Sequence, residues 1–279
     1  MSNLFLSIII PSFNQGRFIQ VCLNSILKQN YKNYEVIICD NYSTDKTRSI
    51  LKKYKKYKNF KIYIKKDKGQ ADAINFGLKK AKGLFVTWQN CDDFYYPSAF
   101  QNFFNTYISN KKRSDCIYGN VNLINYNNTE ATILKFCRVN LFHLLSEGMI
   151  VTNQSAIWKK NIHKKIGYMK NYNNCFDYEW FLRLAFNEYK FKKIKFSSCV
   201  AAFRIYKSQK SSNYSLKDHK RYHKITKDYQ SKSIYKFFNL KILSFLSRFI
   251  RMLFFLLDLE IFYIFRYAKN YTNINSLIK

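Results

Sequence analysis

A chain of 279 residues with 47% hydrophobic side chains can bury one large or two small cores, which excludes an intrinsically disordered protein. Lys and Arg number 48 against 17 Asp and Glu, a formal net charge of +31, so its surroundings should be anionic: nucleic acid, an acidic bilayer or phosphorylated substrates. The excess of Lys, Asn, Tyr, Ile and Phe, with only two Pro and seven Gly, equally fits a compositional bias that raises the Lys count without a purpose.

Seven cysteines, at 22, 39, 91, 116, 137, 175 and 199, include no Cys-x-x-Cys pair. That argues against zinc and against a disulfide framework, and points to a reducing cytoplasm. Residues 7–11, Ser-Ile-Ile-Ile-Pro, follow no basic segment and are too short for a secretory signal. They read as a buried strand.

In chain order, 4–10 is a near-continuous apolar strand and 17–29 is helical, with Phe18, Cys22 and Ile26 spaced by four. A strand over 34–39, a helix over 45–57 capped by Ser43 or Asp45, and a strand over 60–64 follow. Ala71, Ile74, Leu78 and Ala81 mark one face of the next helix, ended by Gly83, before a strand over 84–88 and a fifth over 117–121. Later come a helix over 177–187, a strand pair within 191–203 and a polar loop over 207–215. This alternation predicts an α/β fold with a mostly parallel sheet and helices on both faces. Ligands of such sheets sit outside the carboxyl ends of the strands, where Asp40 and the pair Asp92-Asp93 fall.

The segment 234–267 is rich in Phe, Leu and Ile but interrupted by charges, and its longest charge-free apolar stretch, 252–257, is far below the roughly 20 residues that span a bilayer. It reads as a basic amphipathic helix, lying on an anionic membrane surface or packed on the rest of the protein.

Several carboxylates carry chemistry. Asp92 and Asp93, two adjacent acids at a strand end in a strongly basic chain, can hold a divalent cation. Asp40 can accept a uracil imide N–H or a ribose hydroxyl, while an Asx-turn or helix cap suits Ser43 and Asp45 better. Lys68, Gly69 and Asp72 lie near a helix N-terminus, where free N–H groups favour an anion and where Asp72 also offsets the dipole; Asn75 lies three residues beyond Asp72. Glu179 and Arg183 are spaced for an intrahelical ion pair. Asp177 opens its helix, as a cap or as something more. His143, His163, His219 and His223 have no metal-ligand spacing and read as packing or surface residues.

Four stretches together resemble the family 2 glycosyltransferases: 7–47 (SIIIPSFNQGRFIQVCLNSILKQNYKNYEVIICDNYSTDKT), 67–83 (DKGQADAINFGLKKAKG), 90–93 (NCDD), and 153–160 with 176–185 (NQSAIWKK and FDYEWFLRLA). The resemblance covers about residues 4–205, in the family's order and spacing. It implies a GT-A fold over 1–215, with a nucleotide-sugar half over 1–120 and an acceptor half over 121–215, followed by a helical extension over 216–279. It implies inverting transfer from a nucleoside-diphosphate sugar, UDP-linked, to a hydroxyl of a glycan or polyprenyl-diphosphate-linked sugar.

In that reading Pro11, Ser12, Phe13, Asn14, Asp40, Lys68, Asp72 and Asn75 bind the nucleotide sugar. Asp93 ligates Mg²⁺ or Mn²⁺, Asp92 holds ribose or a metal-bound water, and Asp177 is the catalytic base. Asn153, Gln154 and Glu179 lie on the acceptor side. The chain departs from the family pattern at Asn41-Tyr42, Asn90 and Phe176, where relatives often carry an acid or Gly, and at Tyr206, where they often carry His. Charge and resemblance together place the protein in the cytoplasm, peripheral on the inner face of the membrane, with no specific nucleic-acid partner. A basic nucleic-acid-binding protein, suggested by Lys-Tyr alternation over 52–58, and an inactive homologue in a membrane synthesis complex are the competing readings.

Overall fold

A computed structural model describes residues 4–126, 130–136, 138–194 and 199–257. Every residue of the first strand, β1 (Leu6–Ser12), is buried, and so is every residue of β2 (Tyr34–Asp40). Strands buried on both faces are what a parallel sheet covered by helices requires. Between them runs α1 (Ile19–Leu27), and α2 (Thr47–Tyr54), β3 (Phe60–Ile64), α3 (Gln70–Lys80) and β4 (Phe85–Trp88) complete the alternation. Gly77 lets α3 lie directly on β1, since a Cβ there would come within 2.5 Å of Ile9. Gly83 lies beyond α3, which ends at Lys80; its N–H donates to Ser7 Oγ at 2.8 Å.

Next come β5 (Phe94–Tyr95), α4 (Ala99–Ser109), β6 (Cys116–Tyr118), β7 (Asn120–Ile124), β8 (Glu130–Leu134) and α5 (Leu141–Glu147). After these follow β9 (Ala156–Lys159), α6 (Ile162–Ile166), α7 (Phe176–Phe186), β10 (Phe191–Lys193), β11 (Cys199–Arg204), α8 (Leu216–Ser231) and α9 (Leu240–Leu257). The main sheet has the order β10-β6-β9-β4-β1-β2-β3, parallel except for β9, which runs against β4 and β6. A second sheet, β5-β11-β7-β8, stands beside it.

The sequence-based expectation of one strand over 117–121 is corrected. The chain leaves the main sheet at Tyr118 and enters the second at Asn120, with Gly119 between; a Cβ there would meet Val200 at 2.6 Å. The strands expected as a pair within 191–203 are β10 and β11, which belong to different sheets and do not pair. Of the helix expected over 234–267, only the part from Leu240 to Leu257 appears, as α9; 234–239 are not helical, and the part beyond Leu257 lies outside the described residues.

In helix α7 nine residues from Phe176 to Ala185 are buried, including Trp180 and Leu184. It is a central helix, with His163 stacked on Trp180 (4.4 Å between centroids) and accepting from Trp158 Nε1 at 2.9 Å. Burial holds the His163 imidazole down at about 4, so this histidine is a neutral packing residue.

Candidate active site

The carboxyl ends of β1, β2 and β4 open into a cleft of about 710 Å³. Its floor is Pro11, Ser12 and Phe13 after β1, Asn41 after β2, and Trp88 to Asp92 after β4, apart from Gln89. The opposite wall comes from Met149 and Thr152 to Gln154, from Asn173, Asn174, Phe176 and Asp177 around the start of α7, and from Phe203, Tyr206 and Ser208 to Lys210 with Tyr214. Asp67, Asp92 and Asp177 line it, and Lys210 is the one Lys or Arg among its described lining residues. In a chain of net charge +31 this is a local reversal of sign, suited to a cation brought in with an anionic ligand.

The two adjacent acids separate. Asp92 lines the cleft, and its Oδ2 accepts from the Tyr206 hydroxyl at 2.9 Å. Asp93 is buried behind it, with Oδ2 accepting from Gln154 Nε2 (2.6 Å) and Asn90 Nδ2 (3.2 Å) and Oδ1 accepting from the Arg204 N–H (2.9 Å). Burial, reinforced by the Asp92 charge, holds the Asp93 carboxyl well above the ordinary range; burial also raises Asp92, opposed by the Tyr206 hydroxyl and Arg204. Asp93, expected as the metal ligand, has protein donors on both its oxygens, and Asp92 is the acid that lines the cleft.

Among the described residues no three His, Cys, Asp or Glu side chains converge on a cation site. Mg²⁺ and Mn²⁺ at a diphosphate do not need one, because one or two carboxylates suffice when substrate phosphates and water complete the shell. Asp92 fits that role, and the ion would arrive with the nucleotide.

Asp177 sits at the first turn of α7 in the cleft wall, with Oδ1 accepting from the Tyr178 N–H at 2.8 Å. Burial pushes its carboxyl up to about 6, with the nearby Lys210 charge working the other way. Burial in turn lowers Lys210, against the pull of Asp177 and Asp218. A carboxylate titrating near neutrality is poised to take a proton.

Several expected contacts fall elsewhere. Asp40 is fully buried beneath the floor, its oxygens engaged by Ser12 Oγ (3.0 Å), Ser43 Oγ (2.5 Å) and the Ser43 N–H (3.0 Å), so it shapes the turn. Asn14, at φ 52°, holds the Thr44 N–H at 2.8 Å and ties the β1 loop to the β2 loop. Asp72 is exposed and accepts from the Lys68 N–H at 3.1 Å, a local cap in which neither residue reaches the cleft. Asn75 points away, clasping the Met169 backbone through both its amide atoms (2.8 and 2.9 Å). Glu179 is buried among Arg183 (3.0 Å), Lys170 (2.9 Å) and the Tyr229 hydroxyl (2.7 Å) and does not line the cleft. Asn153 and Gln154 do line the cleft, but Gln154 is committed to Asp93 through Nε2 and leaves its buried Oε1 without a protein partner.

Two cleft residues, Asp67 and Lys210, escaped the sequence reading. Asp67 is bonded to Asn41 Nδ2 (3.2 Å) and the Gly69 N–H (2.8 Å). Burial holds its carboxyl above the ordinary range, opposed by the Gly69 N–H and aided by the charges of Asp72 and Asp40. Its signal was an acid three residues after the end of β3 and two before Gly69, whose φ of 120° starts α3. Lys210 comes from the polar segment 207–215, where nothing local marks it, and Tyr206, noted in the sequence as a departure from the family's His, turns its hydroxyl to Asp92.

The profile of the family described as Glycosyl transferase family 2 matches residues 7–214. The chain belongs to that family. Escherichia coli WfgD, a UDP-Glc:alpha-D-GlcNAc-diphosphoundecaprenol beta-1,3-glucosyltransferase, is 32% identical over 127 residues, 46% of this chain and 49% of its own. A Methanococcus voltae dolichyl N-acetyl-alpha-D-glucosaminyl phosphate 3-beta-D-2,3-diacetamido-2,3-dideoxy-beta-D-glucuronosyltransferase is 36% identical over 126 residues, 43% of this chain and 39% of its own. The matches span less than half the length of these curated relatives. Among solved structures, Staphylococcus aureus TarS 1–349 with UDP-GlcNAc superposes with a TM-score of 0.66 at 20% identity, over 82% of this chain and 67% of its own. The GT-A expectation for this family 2 glycosyltransferase therefore stands.

Proposed function

We propose that the cleft binds a nucleoside-diphosphate sugar, UDP-linked, and transfers the sugar with inversion to a hydroxyl of a glycan or polyprenyl-diphosphate-linked acceptor. The observation that carries this is the pairing, in one cleft, of a carboxylate held near 6 at Asp177 with a cleft-facing acid at Asp92. In this reading Asp177 accepts the proton of the acceptor hydroxyl as that oxygen attacks the anomeric carbon. Asp92 orients the diphosphate end, Lys210 adds positive charge beside the departing oxygens, and Phe13 and Asn41 flank the base and ribose. Bound with the diphosphate, Mg²⁺ or Mn²⁺ would neutralise the charge that develops on it.

The relatives support the substrate classes: WfgD is named for UDP-Glc and a diphosphoundecaprenol acceptor, and TarS was crystallised with UDP-GlcNAc. A Pyrobaculum calidifontis mannosyltransferase, TM-score 0.51 at 19% identity over 71% of this chain and 56% of its own, was solved with GDP-Man and Mn²⁺. Free thiols at all six described cysteines agree with a reducing, cytoplasmic setting for a nucleotide sugar.

Sugar transfer from a panel of UDP-sugars to a lipid-linked acceptor, followed with and without EDTA, tests this reading. Transfer should stop on chelation and return with Mn²⁺ or Mg²⁺. Undiminished transfer in EDTA would remove the metal role, and a panel with no active donor would remove the function.

A further inference from the structure

A helix lying on a protein ordinarily turns its apolar stripe inward, and α9 does so only in part. It packs on α5 through Leu243 and a buried polar cluster: His143 Nδ1 shares a hydrogen bond with Ser247 Oγ at 2.6 Å, and Glu147 accepts from both Ser247 and Arg251. Buried polar partners of this kind specify which side of a helix faces in. The opposite side then carries Ile242, Phe245, Leu246, Phe249, Met252 and Leu253, exposed by 39 to 72%.

At 3.6 residues per turn these six form one continuous stripe, bordered along one edge by Lys241 and Arg248. Phe237 and Phe238, 86% and 52% exposed, extend it toward the start of the helix. From 232 to 257 the sequence holds Lys232, Lys236, Lys241, Arg248 and Arg251 and no acid. No described helix is long and apolar enough to cross a membrane.

We propose that this side of α9 is a docking surface for an anionic lipid bilayer, on which the helix lies parallel to the interface. A monomeric surface rarely leaves a contiguous aromatic and aliphatic stripe in water. Charge selects the occupant. A second copy would bring +31 against +31, and a neutral apolar partner would leave the basic edge without a counter-charge. Anionic headgroups beside an acyl layer answer both features. Helix α9 is also joined to the cleft: α5, on which it sits, ends at Glu147, and Met149 and Thr152 to Gln154 just beyond line the acceptor wall. A docked helix therefore holds that wall close to a membrane-borne acceptor.

Sedimentation of the full chain with vesicles tests the surface alone, because neither nucleotide sugar nor acceptor is present. Vesicles of phosphatidylcholine mixed equally with phosphatidylglycerol should carry the protein down, and pure phosphatidylcholine should carry far less. Phe245→Ser with Phe249→Ser should weaken binding by at least about a hundredfold through lost apolar burial. Lys241→Gln with Arg248→Gln should weaken it about 25-fold at low salt, near fivefold per cation. All four side chains are exposed, and an unchanged melting temperature shows that the variants fold.

Wild-type protein that stays in the supernatant with anionic vesicles overturns the proposal. So does a phenylalanine variant that sediments like wild type, which would assign binding to diffuse positive charge. Dimers that dissociate in the phenylalanine variant, without vesicle binding, would assign the stripe to a second copy.

Discussion

Replacing Asp177 by Asn should make the protein more stable and far less active. Its carboxyl is raised from the ordinary 3.8 to about 6 by burial, so the folded state binds the proton more tightly than the unfolded chain. Stability from this group is complete below about 4, declines as pH climbs toward 6, and stays low above it. Taken in full, the displacement corresponds to about 3 kcal/mol against the ionised form. The side chain is in part open to the cleft, so solvent screening leaves roughly 1–2 kcal/mol.

Asn cannot ionise and keeps the oxygen that accepts the Tyr178 N–H. The variant should therefore melt about 2–8 °C above wild type at pH 7.5, and the gap should close near pH 4. Transfer should fall by about 10²–10⁴, and wild-type kcat/KM should lose activity below a pH near 6 as the base is protonated. Scanning calorimetry across pH together with a transfer assay measures both. A variant no more stable at pH 7.5 would refute the desolvated carboxylate, and near wild-type transfer would refute the base.

The two adjacent acids should also behave differently. Asp92→Asn should leave the melting temperature nearly unchanged while weakening Mn²⁺-dependent UDP binding about tenfold or more by titration calorimetry. Asp93→Ala strips three donors, two of them on the buried residues Gln154 and Arg204, of their acceptor and should cost about 2–4 kcal/mol in denaturant unfolding. Equal stability losses in the two would contradict their separation. Asn75→Ala should cost about 1–2 kcal/mol through the lost clasp on Met169, with donor KM unchanged; a raised KM with intact stability would return Asn75 to the nucleotide site.

The alternation of the first 88 residues was legible because period-2 and period-3.6 apolar patterns follow from packing on one sheet. Part of the cleft was legible as a strand end, at Asp92, and part as the start of a helix, at Asp177, and the structure brings both to one cleft. Which way a side chain turns was not. Asp92 and Asp93 lie in the turn between β4 and β5, where no strand alternation fixes direction, and only the surrounding donors say which one faces the cleft. Asn75 reads as a helix residue near the nucleotide, but its partner Met169 lies 94 positions away. Asp40 belongs to its own turn through Ser43, three residues on, a local bond that outweighed its place at a strand end. Gly119 lets one apolar run serve two sheets, which periodicity alone cannot divide.

The buried Asp93 joins the exit of β4 to Arg204 on β11, and so links a residue of the main sheet to the backbone of the second. The same carboxylate grips Gln154 on the opposite wall. Frame and chemistry are thereby carried by neighbouring but separate positions. Exchanging the cleft-facing acid or Tyr206 should leave the spacing of the walls as it is, since neither makes the Asp93 contacts. In the proposed reading, a change of donor or of ion is to be sought at Asp92 and Tyr206, with Asp93 left in place.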